Sequence, residues 1–276
     1  MTGSFNDQGE LEISDGRLMF FTGKKKSGKS VMAKLIFFTY PGDRVIIDIA
    51  GDDGPTGPEV IELVGDHDTL PAHWPAHLRR YDDNGRPKPM TLRYVPDPGS
   101  PTLAQDMDHV IGLSLAHSRS LKDRGKMGVL VLVHEIGVLT PANRTQPNMR
   151  RALMHNRHQH LTMLMCGPRP KDIDPLVLQQ ADLIYIFELM NKYDRQRLAE
   201  AIGWEPKDID AAMTEVQVHE YLRFDANELK PAAGEEDLRI LHMPPLPEDV
   251  VREVSGPLPP AKYQRQEIST GVHAGA

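Results

Sequence analysis

The sequence holds one cysteine, Cys166, in 276 residues. A single thiol excludes an intramolecular disulfide framework and a cysteine-based zinc cage, and it fits a reducing compartment. Long apolar runs are also missing: none approaches the roughly 20 residues that a membrane-spanning helix needs. The first residues lack the apolar core of a signal peptide, and no internal repeat is visible. With 39% hydrophobic residues and a mean hydropathy of -0.42, the expectation is a soluble chain with no membrane insertion. Acids are scarce in one place only. The whole chain carries a net charge of -7, which alone argues against a nucleic-acid partner. Between His117 and Lys171, however, ten lysines and arginines stand against two acids, Asp123 and Glu135. Such asymmetry fits either a polyanionic partner or a solvated face with arginines that sense a nucleotide's phosphates.

What is present is organised around Gly23-Lys24-Lys25-Lys26-Ser27-Gly28-Lys29-Ser30. The pattern is a glycine, four free positions, then Gly-Lys-Ser, the phosphate-binding loop that cradles a polyphosphate with backbone N–H groups. Gly28, without a Cβ, lets the chain approach the phosphates. Lys29 is placed to reach the β- and γ-phosphates of ATP, and the Ser30 hydroxyl to ligate Mg²⁺. The flanks agree: Leu18 to Phe21 is a short apolar run of strand length, and Val31 to Phe38 reads as a helix stopped near Pro41-Gly42.

Further strands are expected at Arg44–Ile49, Met90–Val95, Val129–Val133, Leu161–Cys166 and Ala181–Phe187, with a small one at Val218–Phe224. Helices are expected at Leu103–Ser118, 147–159, Asp194–Ile202 (capped by Gly203) and Pro206–Thr214. Residues 59–90, with Trp74 and several prolines, read as an irregular insertion holding at most a short helix, and residues 1–15 as a surface lead-in. The alternation gives an α/β fold, a mainly parallel sheet with helices on both faces; with the loop motif, it resembles the P-loop NTPase (RecA/ASCE-like) fold. The domain reading is a P-loop ATPase domain over 1–224, then an acidic tail over 225–276. Seven prolines lie between Lys230 and Ala261, so the tail is expected to be partly extended or disordered.

The run Val129–Val133 suits a central strand buried on both faces, and it ends in His134-Glu135. Glu135 is the candidate to orient and activate an attacking water. His134 stands where an aspartate supporting the metal's hydration shell is expected; magnesium prefers oxygen, so a direct ligand role for the imidazole is disfavoured. Asp48, near the end of the second strand, is a further possible metal ligand. His155, His158 and His160 are spaced to form a solvated or phosphate-contacting face rather than a metal site.

The order of these features resembles the FtsK–HerA superfamily of hexameric DNA-pumping ATPases, from about Gly16 to Gly203. The resemblance is carried by the P-loop, Val45-Ile46-Ile47-Asp48, the apolar strand with Glu135, Asn156-Arg157-His158 leading through Leu161–Cys166 to Pro168-Arg169-Pro170, and Gln180-Ala181-Asp182. Two positions depart from the family pattern. Gly167-Pro168 stands in place of a Thr-Gln pair that senses the γ-phosphate, and His134 in place of an aspartate. The resemblance implies ATP and Mg²⁺ as cofactors, catalysis by Lys29 and Glu135, and Arg157 as the arginine that reaches a neighbouring subunit's nucleotide, with Arg150 and Arg151 as fallbacks. It also implies a ring homo-oligomer, a pentamer or hexamer, acting on double-stranded DNA. Arg119, Lys122, Arg124, Arg150 and Arg151 are then the DNA-contacting candidates. Without a membrane anchor or nuclease domain, the chain looks like a viral genome-packaging motor subunit. A portal or capsid would be its docking partner and the host cytoplasm its location. A related ATPase driving virion assembly or conjugative transfer, and a degenerate nucleotide-binding scaffold, are the alternatives.

Overall fold

The structure is a computed structural model, and it describes residues 15–51, 54, 60–65, 81–85, 88–228 and 239–255. Among these, nine strands form one sheet in the order β3-β4-β2-β5-β6-β1-β7-β8-β9. They are β1 (Leu18–Thr22), β2 (Asp43–Ile47), β3 (Val60–Val64), β4 (Thr91–Val95), β5 (Val129–Val133), β6 (Thr162–Cys166), β7 (Leu183–Ile186), β8 (Tyr221–Asp225) and β9 (Ile240–Met243). From β3 to β7 every neighbouring pair is parallel; β7–β8 and β8–β9 are antiparallel. The helices are α1 (Lys29–Thr39), α2 (Leu103–Lys122), α3 (Pro147–Gln159), α4 (Pro175–Gln180), α5 (Lys192–Ile202), α6 (Pro206–Glu215) and α7 (Glu248–Ser255).

The apolar runs of the sequence are explained by a sheet covered on both faces. Alternate residues of one strand enter two different cores. Leu18, Phe20, Val129, Val131 and Val133 pack with α2 to α6 on one face. Met19, Phe21, Leu130 and Leu132 pack with Met32, Ala33, Ile36 and Phe37 of α1 on the other. β5 therefore reads as a continuous hydrophobic run because neither of its faces meets water.

Short polar side chains set the helix boundaries. Asp174 and Asn191 accept hydrogen bonds from Leu176 N and Tyr193 N at 2.9 Å each, the capping chemistry that starts α4 and α5. Asp108, buried on α2, accepts from Asn148 N at 3.0 Å and Met149 N at 2.7 Å, so one helix caps the start of the next. Burial raises the pKa of that carboxyl, while the two N–H donors pull it back down.

Two parts of the sequence reading change. The insertion over 59–90 contains β3, an edge strand beside β4 whose outer residue Val64 is exposed. Glu62 in its middle and the polar residues around it hide it from a search for apolar runs. The short helix expected there and Trp74 fall on residues outside those described, as do residues 1–14 of the lead-in. The segment read as a partly extended or disordered tail contains β9 and α7: β9 pairs with β8, and α7 packs against α1. Composition misses both, because a four-residue edge strand needs few apolar residues when a neighbouring edge provides its hydrogen bonds. Residues 256–276 of that segment lie outside those described. No helix among the described residues is long and apolar enough to cross a membrane.

Candidate nucleotide site

The parallel strands all point their carboxyl ends to one edge of the sheet, where open α/β folds hold their ligands. At that edge β1 runs into Gly23–Ser30 and then α1. The loop turns through positive φ at Gly23 (142°), Lys26 (66°) and Gly28 (108°). A Cβ at Gly28 would lie 3.3 Å from the Phe187 ring, and one at Gly23 would come within 2.7 Å of Phe187 Cβ. Glycine is needed at both places for backbone reasons and for space. The loop is tied to the end of β7 by Lys24 N, which donates to Glu188 O at 2.8 Å, and by a Lys24–Glu188 ion pair at 2.5 Å.

Lys29 Nζ donates to the Lys24 carbonyl oxygen at 3.0 Å, arching over the loop it serves. Burial lowers its pKa, and the fields of Cys166 and Glu135 act against that shift. Glu135 is raised by desolvation, with Lys29 and Lys25 pulling the other way. The two candidate catalytic groups thus sense each other across the end of β6, the strand between β1 and β5. Glu135 is held by backbone geometry: it opens a 3₁₀ turn over Ile136–Val138, and its carbonyl accepts from Val138 N at 3.2 Å.

The residues present fit a triphosphate. Ser27 Oγ and Thr22 Oγ1 are buried without a hydrogen-bond partner among the described residues. Buried hydroxyls left in this state are costly unless a ligand completes them. The first N–H groups of α1 also have no intrahelical acceptor and add the positive end of the helix dipole. Ser30, in the first turn of α1, supplies the hydroxyl a magnesium ion on such a phosphate would use.

Other sequence candidates are placed elsewhere. Asp48, the possible metal ligand, is fully buried and committed to structure. It accepts from Arg93 Nη2 at 2.7 Å and Nε at 3.0 Å, and from Gly54 N at 2.8 Å and Gly51 N at 3.1 Å. β5 and β6 separate its strand from β1. Arg157 lies at the far end of α3, on the edge opposite the P-loop. Its guanidinium donates to Asp182 and, at 3.1 Å, to Asn227 Oδ1. Arg150 and Arg151 are exposed in the first turns of α3, on the P-loop edge, and a helix of this length spans about 20 Å.

The DNA-contact candidates split in the same way. Arg119 and Lys122 end α2 and Arg124 follows it, all at the opposite edge from Arg150 and Arg151. Lys122 Nζ is already bonded to His158 O at 2.7 Å. The five therefore do not form one patch within a subunit. Among the described residues no three His, Cys, Asp or Glu side chains gather as a metal site.

Sequence reasoning missed one wall of the site. A cavity of about 640 Å³ opens beside the P-loop, between it and Phe187, His219, Leu246 and α7. The topology explains this. β8 runs antiparallel, so the residues before it return to the carboxyl edge, and β9 then leads the chain out at that same edge. The only local trace is the spacing of Glu248, Val251, Arg252 and Ser255, one face of a helix.

No protein-family model and no curated protein matches this sequence. Solved structures do. The chain is similar to the genome packaging NTPase B204 from Sulfolobus turreted icosahedral virus 2 in complex with AMPPCP, at 18% identity and TM-score 0.57, over 86% of this chain and 100% of that one. The sulfate complex of B204 gives 17%, 0.59, 86% and 98%. B204, the DNA-packaging ATPase from Sulfolobus turreted icosahedral virus, gives 17%, 0.58, 85% and 100%. This is a P-loop NTPase fold. At such identities the likeness is one of fold, and the nucleotide chemistry of this P-loop NTPase fold rests on its own residues.

Proposed function

We propose that the protein is an ATP-driven double-stranded DNA translocase, a subunit of a ring-shaped viral genome-packaging motor that docks on a portal or capsid. The observation that carries this reading is the left-handed P-loop after β1, with Glu135 at the end of β5 on the same carboxyl edge and only β6 between the two strands. Phosphoryl transfer is mostly positioning and charge neutralisation. Gly23 to Ser30 would hold the triphosphate, Lys29 would neutralise its charge, and Ser30 would supply a hydroxyl to Mg²⁺. Glu135, with its pKa raised by desolvation, takes the proton of the attacking water. The fold shared with B204, called a DNA-packaging ATPase, supports DNA as the cargo.

The arginine that completes the site in a ring comes from a neighbour. Arg150 and Arg151 suit that role better than Arg157, because they are exposed on the P-loop edge while Arg157 is held by Asp182. The same two arginines, with Arg144 nearby, carry the basic charge of that edge toward DNA phosphates, where binding is sequence-independent and salt-sensitive.

The test is ATP turnover with and without double-stranded DNA across a salt series, on material of known native mass. DNA-stimulated turnover in a ring supports the reading; turnover indifferent to DNA rejects it. His134 and Pro168 favour one second reading, a slow nucleotide-binding scaffold. Its signature is ATP binding by a monomer without turnover.

A further inference from the structure

The P-loop accounts for a triphosphate but not for the whole cleft beside it. That cleft, about 640 Å³, falls within the range of roughly 300–1,000 Å³ usual for small-molecule sites. Its far wall comes from the part of the chain whose composition suggested a tail. Four α7 residues face it, Glu248, Val251, Arg252 and Ser255, at the i, i+3, i+4, i+7 spacing of one helical face. Leu246, just before α7, lines it and also packs on the core shared with α1. Across the cleft stand Phe187, whose ring lies at the Gly28 backbone, and Val218, which is 70% exposed on the open side of the cleft.

His219 sits between these walls. Its Nδ1 lies 3.9 Å from where a Cβ on Gly28 would be, and its φ of 68° is left-handed. A non-glycine residue held in that conformation costs energy and is found preferentially at ligand sites. The walls are thus apolar on the flanks (Phe187, Val218, Leu246, Val251), while Glu248 and Arg252 put a carboxylate and a guanidinium at the rim. An apolar slot with a few polar groups at its edge is what a planar heterocycle on a ribose requires. It is more than a bare triphosphate needs.

We propose that the segment Pro245–Ser255 is a nucleoside lid. The P-loop grips the triphosphate, and α7 closes over the base and ribose of the same nucleotide. Val251 and Leu246 cover the base, and Glu248 and Arg252 bond its edge and the ribose hydroxyls. Nucleotide binding and the docking of α7 on α1 are therefore coupled. This rests on Gly23–Ser30 being a nucleotide-binding loop, and the test separates the two claims.

The experiment compares ATP with inorganic tripolyphosphate by calorimetry, in one magnesium buffer, for the full-length chain, Val251→Asp and Lys29→Ala. The full-length chain is expected to bind ATP at least about tenfold more tightly than tripolyphosphate. Val251→Asp should lose about tenfold toward ATP, the worth of one buried aliphatic side chain, and keep its tripolyphosphate affinity. Equal binding of the two ligands by the full-length chain, or an equal loss of both in Val251→Asp, overturns the lid and leaves the P-loop intact. Lys29→Ala binding both ligands as the full-length chain does would reject the P-loop reading itself. Should Val251→Asp fail to fold, amide exchange in the unmodified protein decides. Exchange over Glu248–Ser255 should slow with ATP and not with tripolyphosphate; the same exchange with both overturns the lid.

Discussion

The two edges of the sheet are built from similar residues and end in opposite states. At the amino edge each buried carboxylate has its hydrogen bonds made inside the chain. Asp182 Oδ2 accepts from Leu18 N at 2.8 Å, and Oδ1 faces Arg17 and Arg157. Asp43 accepts from Met90 N at 2.8 Å and pairs with His117 Nε2 at 2.7 Å. Asp15 holds Tyr40 OH at 2.5 Å and Gly128 N at 2.9 Å. At the carboxyl edge the P-loop adopts left-handed backbone, Ser27 and Thr22 bury hydroxyls without partners, and Lys29 is desolvated. One edge uses its polar groups to hold strands in register. The other, away from the Asp48–Arg93 pair, leaves the polar groups of its P-loop without partners inside the chain. Substitutions should therefore separate cleanly into those that stop turnover and those that unfold the chain.

Glu135→Gln should have the largest effect. Loss of a positioned general base lowers turnover by about 10²–10⁴-fold, with ATP affinity and the unfolding midpoint unchanged; steady-state rates and calorimetry on one preparation check this. Glu135 also sets a pH limb. As the proposed base it acts as the carboxylate, and its pKa is raised by desolvation, so turnover should rise with pH through a value above that of an ordinary glutamate. The limb should disappear in Glu135→Gln.

Lys29→Ala removes the cation at the phosphates and should lower turnover by about 10²–10³-fold, the scale of losing one preorganised charge-stabilising donor. Because the lysine is partly desolvated, its removal should leave stability unchanged or improved in urea. A loss of stability would break the contrast between the edges.

Asp182→Ala is the converse. It leaves the Leu18 N–H buried without an acceptor and should cost about 1–3 kcal/mol, read as a lower urea midpoint with unchanged ATP affinity. Arg157→Ala sharpens the contrast with the smallest effect. The arginine side chain is 65% exposed, so losing the pair should cost under about 1 kcal/mol. An arginine acting on a neighbour's nucleotide would instead cost 10³–10⁵-fold in rate, and a turnover assay on the assembled protein distinguishes the two.

The P-loop was legible in the sequence because its chemistry is local. A glycine that must turn left-handed, a lysine and a hydroxyl at fixed spacing, a strand before and a helix after all lie within some twenty residues. β5 was legible because burial on both faces leaves an uninterrupted apolar run. Asp48 and Arg157 have structural commitments that the sequence did not show, for one shared reason. Their partners, Arg93 for one and Asp182 with Asn227 for the other, are far away in the chain, and whether a charge is committed or available is settled by what packs beside it. β9 and α7 were hidden because their stability comes from an existing sheet edge and from α1, not from their own composition.

The sequence by itself determined that a loop of the P-loop pattern is present, that it joins a strand to a helix, and that an apolar strand ends in an acid. Only the tertiary structure decided that β6 lies between those two strands, so that Lys29 and Glu135 share one field. It also decided that two antiparallel strands carry the chain back to the P-loop edge and make Glu248–Ser255 a wall of the cleft. The physical reason is the range of the interactions. Backbone turns and helix starts are fixed by a few neighbouring residues, whereas strand order and the walls of a cavity depend on pairings between segments that no local pattern records.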